Sequence, residues 1–475
     1  MIKFFFKSIL YLIIIFFILV GYLSTVGIET KSFNTQIKKN LKNINKDLST
    51  ELNKVKIILN PLKFQINIKT VGPIIIFKNE KLQLESIKSQ IPIISLIKGG
   101  FSSTNLTIST QSINFKDLLS FLRAYDNKIK YYLLDKVITR GFLIADINLN
   151  FDENGSIKND YYINGLVKEA KIDLLNKKKL DKINFIFNIR EKSINLGDVS
   201  FLLDKISFIS DNISIKKEEN YFSVKGKISN NKIALSKDDF NSITDPFLKD
   251  ITLEKLEFGS ENDFSFKINN KFKIRNVNFQ SKLEISDLRK KNDYQLKEFF
   301  PDINNEIKLK NHKININYTK DNLSIKGKGF WLSQKEFDEM EYEIKKNINS
   351  YLFKTKFDLT NNKLKINLLN FYKKKDSKSS LSLQGKLVEG KNLFFQYIDF
   401  INEDNLINVK KLSLDNDLRF LDLGMLNLNF NDIENFRNEV IIKKNKKDYE
   451  LDGKVLNASK IISNLLKGND NKSDF

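Results

Sequence analysis

From Val55 onward, apolar and polar side chains alternate with period two. Leu62, Phe64, Ile66 and Ile68 interleave with Lys63, Gln65, Asn67 and Lys69, the pattern of a strand with one oily and one wet face. It returns at Ile183, Phe185, Phe187 and Ile189, at Phe264, Phe266 and Ile268, at Leu364, Ile366 and Leu368, and at Leu426, Leu428 and Phe430. Turn residues separate the runs, most clearly Asn154-Gly155, a type I′ hairpin pair. The expected fold is mainly β, a long curled antiparallel sheet over residues 55–475 with few short helices. Helices are expected at Asp117 to Leu122, at Ser236 to Leu248 with Ser236 and Asp239 at capping-box spacing, and after Ser333, with Glu336 three residues on.

The first 54 residues follow other periods. Residues 1–7 hold Lys3 and Lys7, and 8–28 carry no charge. At ~1.5 Å per residue that uncharged run reaches roughly 31 Å, enough to cross a bilayer. A cleaved signal peptide would have a shorter apolar region and an Ala-x-Ala-like site, which Thr25-Val26-Gly27 does not match. The expectation is a retained single-pass anchor with a short cytoplasmic flank and a translocated body. In 29–54, Phe33, Ile37, Leu41, Ile44, Leu48 and Leu52 recur at helical spacing behind Ser32, a plausible N-cap. This predicts an amphipathic helix, lying either on the end of the sheet or on the membrane surface through Lys38, Lys39, Lys42 and Lys46.

A local phrase, apolar-x-apolar-x-Gly, recurs around Gly165, Gly226, Gly327, Gly385 and Gly453. Glycine inside a strand marks a bulge, a bend or a close backbone approach, so these five are expected where the sheet bends.

Composition narrows the function classes. Lys and Arg number 79 against 58 Asp and Glu, a formal charge of +21, but only 7 are Arg. Nucleic-acid readout leans on the arginine fork and on gathered basic patches, so no nucleic-acid partner is expected. There is no cysteine and a single histidine, His312. Thiol nucleophiles, disulfides, His-based triads and the usual zinc sites are excluded, and no enzyme activity, metal or cofactor is expected. Asp238 and Asp239 read as complements to a helix dipole, His312 as a wet-face residue, and Trp331 as core or groove filler.

An N-terminal anchor, an amphipathic segment and uninterrupted sheet, together with Ile91-Pro92-Ile93-Ile94-Ser95-Leu96-Ile97-Lys98-Gly99-Gly100-Phe101 followed by Leu106 and Ile108, resemble the AsmA-like family. That group includes AsmA, YhdP and TamB and is related in design to bridge-like lipid-transfer proteins. The phrase Leu451-Asp452-Gly453-Lys454-Val455-Leu456-Asn457-Ala458 is similar to one of the YhdP-type members. The resemblance implies a bacterial inner-membrane protein with its body in the periplasm. Its apolar β-groove would shield and conduct phospholipid acyl chains toward the outer membrane, with an outer-membrane or periplasmic protein as a possible partner. The apolar-face positions Phe64, Ile66, Phe185, Phe187, Phe266, Ile366 and Leu428 are then the expected groove floor. The alternative is an assembly factor for outer-membrane or secreted proteins acting by β-edge pairing.

Overall fold

Period two sets the structure along almost the whole chain. The computed structural model describes residues 2–31, 34, 35, 38, 42, 45–97, 103–126, 128–152, 156–173, 178–244, 253–269, 271, 273–292, 297, 299–347, 349–388, 392–446 and 448–467. Among these, 27 strands belong to one antiparallel sheet, and Leu364–Ile366 with Phe371–Lys373 form a separate two-stranded hairpin. Helices are few.

The N-terminal apolar segment is one helix, Ile2–Thr25, long and apolar enough to cross a membrane. It starts earlier than the uncharged run, taking in Lys3 and Lys7. It stops at Gly27, whose left-handed φ of 73° closes the last turn. The N–H groups of Val26 and Gly27 both donate to the Tyr22 carbonyl, at 2.8 and 3.1 Å. A Cβ at Gly27 would lie 2.4 Å from the Ile57 carbonyl oxygen, so only glycine fits this C-cap. The chain then enters the sheet at once, with Ile28 opposite Ile57.

Strand formation therefore overtakes both ends of the segment expected to be an amphipathic helix. Ile28–Thr30 and Leu48–Glu51 are strands, the latter paired with Ile74–Phe77. Phe33, Ile37, Leu41 and Ile44 lie outside the described residues, as do Asn154 and Gly155.

The chain divides into two units, Met1–Gly226 with Ile268–Lys273, and Lys227–Lys267 with Ile274–Phe475. In the first, pairing runs from Ile28–Thr30 through Val55–Asn60, Gln65–Val71, Glu80–Pro92, Asn105–Thr110 and Ile138–Asn150. It continues by hairpins through Tyr162–Asp173, Lys179–Arg190, Ser193–Leu203 and Ile206–Lys217. The helix expected near Asp117 spans Phe115–Tyr125. The Asn114 side chain accepts from the Lys116 N–H at 2.9 Å, and Asp135 of the next helix, Ile129–Val137, takes Lys116 at 3.1 Å and Arg123 at 2.8 Å.

In the second unit, Ile274–Lys291 through Asp448–Val455 form eleven successively paired strands. The helix Lys237–Thr244 carries the expected capping pair: the Ser236 hydroxyl donates to Asp239 at 2.8 Å, and the Asp239 N–H returns to Ser236 Oγ at 3.3 Å. No helix follows Ser333. Its hydroxyl is fully buried and donates to Asn362 Oδ1 at 2.6 Å, so the would-be cap is spent on a core network and Phe337–Asn347 is a strand.

Register shifts, where a sheet bends, fall mostly at residues with no glycine. Glu169, Lys182, Asp198 and Asn311 adopt positive φ at or beside shifts in their ladders. Of the five phrase glycines, Gly385 and Gly453 sit at such shifts, whereas Gly165 and Gly327 lie in unbroken register. Gly226 lies within the strand Tyr221–Ser236.

Candidate functional site

Directly opposed residues on neighbouring strands project to the same face of the sheet, so the registers show how one apolar side chain continues into the next. In the first unit, Ile87, Ile108, Ile147, Ile163, Ile189, Ile194 and Ile215 are opposed in turn on seven adjacent strands. The rungs span ~29 Å at ~4.8 Å per strand. One residue away, on the other face, Ser109, Asp146, Asn164, Asn188, Asn195 and Ser214 are opposed likewise. Every isoleucine of the ladder is half-buried, and none belongs to a buried core cluster among the described residues. A few residues along the strands the same face is covered. There Phe115 of the Phe115–Tyr125 helix, with Leu143, Phe185 and Phe187 of the sheet, packs against buried Val167, Ala170 and Ile183.

The second unit repeats the arrangement over eleven strands. Leu283, Ile314, Gly327, Tyr342, Thr355, Leu383, Ile398, Val409, Leu426, Ile442 and Leu451 are opposed in turn, a row of ~48 Å. Apart from buried Gly327 and exposed Leu451, its members are half-buried. Two residues along the strands, Met340, Phe357, Leu381, Phe400, Ile407 and Leu428 make the parallel row, and here the hairpin Leu364–Ile366/Phe371–Lys373 lies on top. Phe371 meets Phe400 and Phe430 edge-on, with centroids 5.7 and 5.5 Å apart.

The covering hairpin is held by polar groups in a dry setting. The Lys373 ammonium is buried and donates to the carbonyls of Leu359, Thr360 and Asn362 at 2.5, 2.8 and 2.6 Å. Burial draws its pKa down to about 8, against the pull of Asp338 and Asp358. Asp338, buried in its strand and pushed above the usual carboxylate range by desolvation, accepts from the Asn361 N–H at 3.1 Å and from the Asn362 amide.

The expected floor positions thus part company. Ile66 lies half-buried in the Gln65–Val71 strand. Phe185 and Phe187 lie on the apolar face and pack into the helix-covered patch, and Phe266 stacks on Phe264 at 6.0 Å. Ile366 belongs to the covering hairpin and Leu428, 2% exposed, to the core beneath it, so protein already fills the space over both. Phe64 is off the sheet. Asn60 caps a single turn, Pro61–Lys63, which sets Phe64 at φ 49° with its ring turned to solvent.

His312 is not on the wet face. The bulge at Asn311 and the period of Ile314 and Ile316 place it on the apolar face opposite Ile285. It is fully buried, stacked on Tyr342 at 5.5 Å, and its two ring nitrogens have no hydrogen-bond partner among the described residues. Desolvation lowers its pKa. Trp331 is core, as expected.

The opposite face is polar and laced with ion pairs. Lys326 and Lys345 reach Glu343 at 3.3 and 3.0 Å, and hydrogen bonding from Lys345 leads in holding that carboxyl below its usual range. No protein-family model, curated protein or solved structure matches the chain.

Proposed function

We propose that this is a bacterial inner-membrane protein whose periplasmic sheet carries phospholipid acyl chains along its apolar face toward the outer membrane. The half-buried isoleucine ladder from Ile87 to Ile215 carries the reading. Moving an acyl chain through water exposes apolar surface at ~0.8 kcal/mol per CH₂, and a continuous apolar row removes most of that barrier while requiring no chemistry. The rungs are near-identical in chemistry, so positions along the row are close in energy and movement is diffusive unless coupled to something else. The resemblance to the AsmA-like family points the same way, and the N-terminal helix suits an anchor.

Within each unit the path is its half-buried apolar row, through Ile163 and Ile189 in one and Ile314 and Leu426 in the other. Phospholipid retained by the full chain after purification in mild detergent, read by mass spectrometry, tests the reading. Bound lipid that survives raised salt supports it, since salt screens charge without weakening apolar burial. A lipid-free protein would overturn it.

One observation favours the assembly-factor reading. Each residue of the strand Asp448–Val455 is exposed, and its pairing among the described residues is with Arg437–Asn445 alone. A free edge of this kind accepts an added strand.

A further inference from the structure

Four exposed apolar side chains gather at one end of the first unit. Leu62 is 94% exposed and Phe64 69%, on the Pro61–Lys63 turn; Ile94 is 60% and Ile97 80% exposed, on the short helix Ile93–Ile97. The two elements adjoin. Gln65 is opposite Pro92, Ile66 is opposite Ile91, and the Ile93 N–H donates to the Phe64 carbonyl at 2.9 Å.

The backbone pays for this display, since a bulky aromatic residue in the left-handed region is unfavourable. The Phe64 N–H closes the turn on the Pro61 carbonyl at 3.3 Å, while its ring stays in water. Register also fixes which end of the sheet this is. Ile28 opposes Ile57 in antiparallel sense, so the helix Ile2–Thr25, preceding Ile28, lies toward the same end as Ile58 to Phe64. Gly27 touches Ile57 and Ile58, leaving two residues of the Val55–Asn60 strand, about 7 Å, before the turn. Lys63 stands between Leu62 and Phe64.

We infer that Leu62, Phe64, Ile94 and Ile97 form a second, shallow membrane contact, dipping into the leaflet that the N-terminal helix leaves. The helix supplies the tether, and the two apolar turns set the angle of the sheet against the bilayer. Ile66 and Ile91, the first paired apolar residues above the turns, are then held at the level of the lipid chains. The inference rests on the anchor and not on the cargo, so it stands or falls separately from lipid carriage.

The chain has no cysteine, so single probes are unambiguous. Leu62→Cys, Phe64→Cys, Ile94→Cys and Ile97→Cys, each labelled with an environment-sensitive fluorophore, are placed in the full chain. The chain is reconstituted into phosphatidylcholine–phosphatidylglycerol vesicles, with and without lipid spin-labelled high on the acyl chain. Val71→Cys is the reference, because Val71 is 60% exposed at the other end of the Gln65–Val71 strand. The expected result is a blue shift and loss of emission to spin-labelled lipid at all four positions and neither at Val71. Probes that behave like Val71 overturn the inference. So does a blue shift without lipid quenching, which would mean that protein covers the patch. Failure of the chain to float with the vesicles would remove the anchor itself, whereas quenching by a protein that purifies without lipid would leave this contact standing and dismiss lipid carriage.

Discussion

Tyr342 occupies the space that a side chain at Gly327 would need. The two are directly opposed on neighbouring strands, and a Cβ on the glycine would lie 2.2 Å from the tyrosine Cζ. The same relationship joins Gly165 to Phe187 and Gly385 to Phe353, each with a ring atom 2.5 Å from the missing Cβ. Three of the recurrent glycines thus serve as seats for a cross-strand ring. At Gly327 the three nearest atoms all belong to Tyr342, so Gly327→Ala should cost about 1–3 kcal/mol through overpacking. Adding Tyr342→Leu should recover part of that loss in a double-mutant cycle measured by urea denaturation. At Gly165 the Ile144 carbonyl also lies 2.3 Å from the Cβ position. Recovery by Phe187→Leu should therefore be smaller there.

Charge on the apolar face should be tolerated or not according to what lies above it. Ile163→Lys, on the half-buried ladder, should cost about 1 kcal/mol or less while reducing retained lipid. Leu428→Lys, beneath the hairpin, should cost more than about 4 kcal/mol, because an unpaired ion there has no partner. Thermal melts beside lipid analysis distinguish the two. Equal collapse at both sites would mean that the ladder is an ordinary core.

Much of this was legible in the sequence, and what was not has identifiable causes. The apolar helix, the period-two strands, the helix at Phe115–Tyr125 and the Ser236–Asp239 cap all rest on signals within a few residues of each other. Which rows align depends on register, and bulges at Glu169, Lys182 and Asp198 set that register; charged residues in left-handed conformation leave no local pattern to read. His312 shares the period of Ile314, and composition misleads there because an imidazole suggests water. Ile366 and Leu428 alternate like any floor residue; that a hairpin covers them is a tertiary fact. Ser333 was a sound cap by sequence, and its hydroxyl was taken instead by Asn362 across 29 positions of chain.

Stability near neutral pH should carry the mark of His312. Burial lowers its folded pKa below the ordinary imidazole value, so as pH falls through about 6.5 the unfolded chain takes up a proton that the folded chain refuses. Stability should drop with acidification from that point, by at most about 1.4 kcal/mol per pH unit, until the folded imidazole titrates. His312→Leu should remove that portion of the slope. Urea midpoints between pH 5 and 8 for both proteins measure it, and an unchanged slope would reject the assignment.

The covering hairpin should depend on one ammonium. Lys373→Met leaves the carbonyls of Leu359, Thr360 and Asn362 without their donor in a dry interior, at a cost of about 3–5 kcal/mol. Limited proteolysis should then cut between Leu359 and Asp376 in the variant and spare the parent chain. Protection in both would show that apolar packing of Phe371 alone holds the hairpin.

The pairing of each strand with the one just before it bears on how such a sheet is made. From Ile138–Asn150 to Ile206–Lys217, and again from Ile274–Lys291 to Ser350–Asp358, every strand finds its partner one hairpin back. Within these two runs loop closure is local, and ordering one more strand does not wait for a distant segment. A chain delivered N-terminus first can add rungs to a growing edge as it emerges, with Ile138–Asn150 and Ile274–Lys291 as the first templates of the two runs. Assembly order and position along each row of rungs are then the same coordinate.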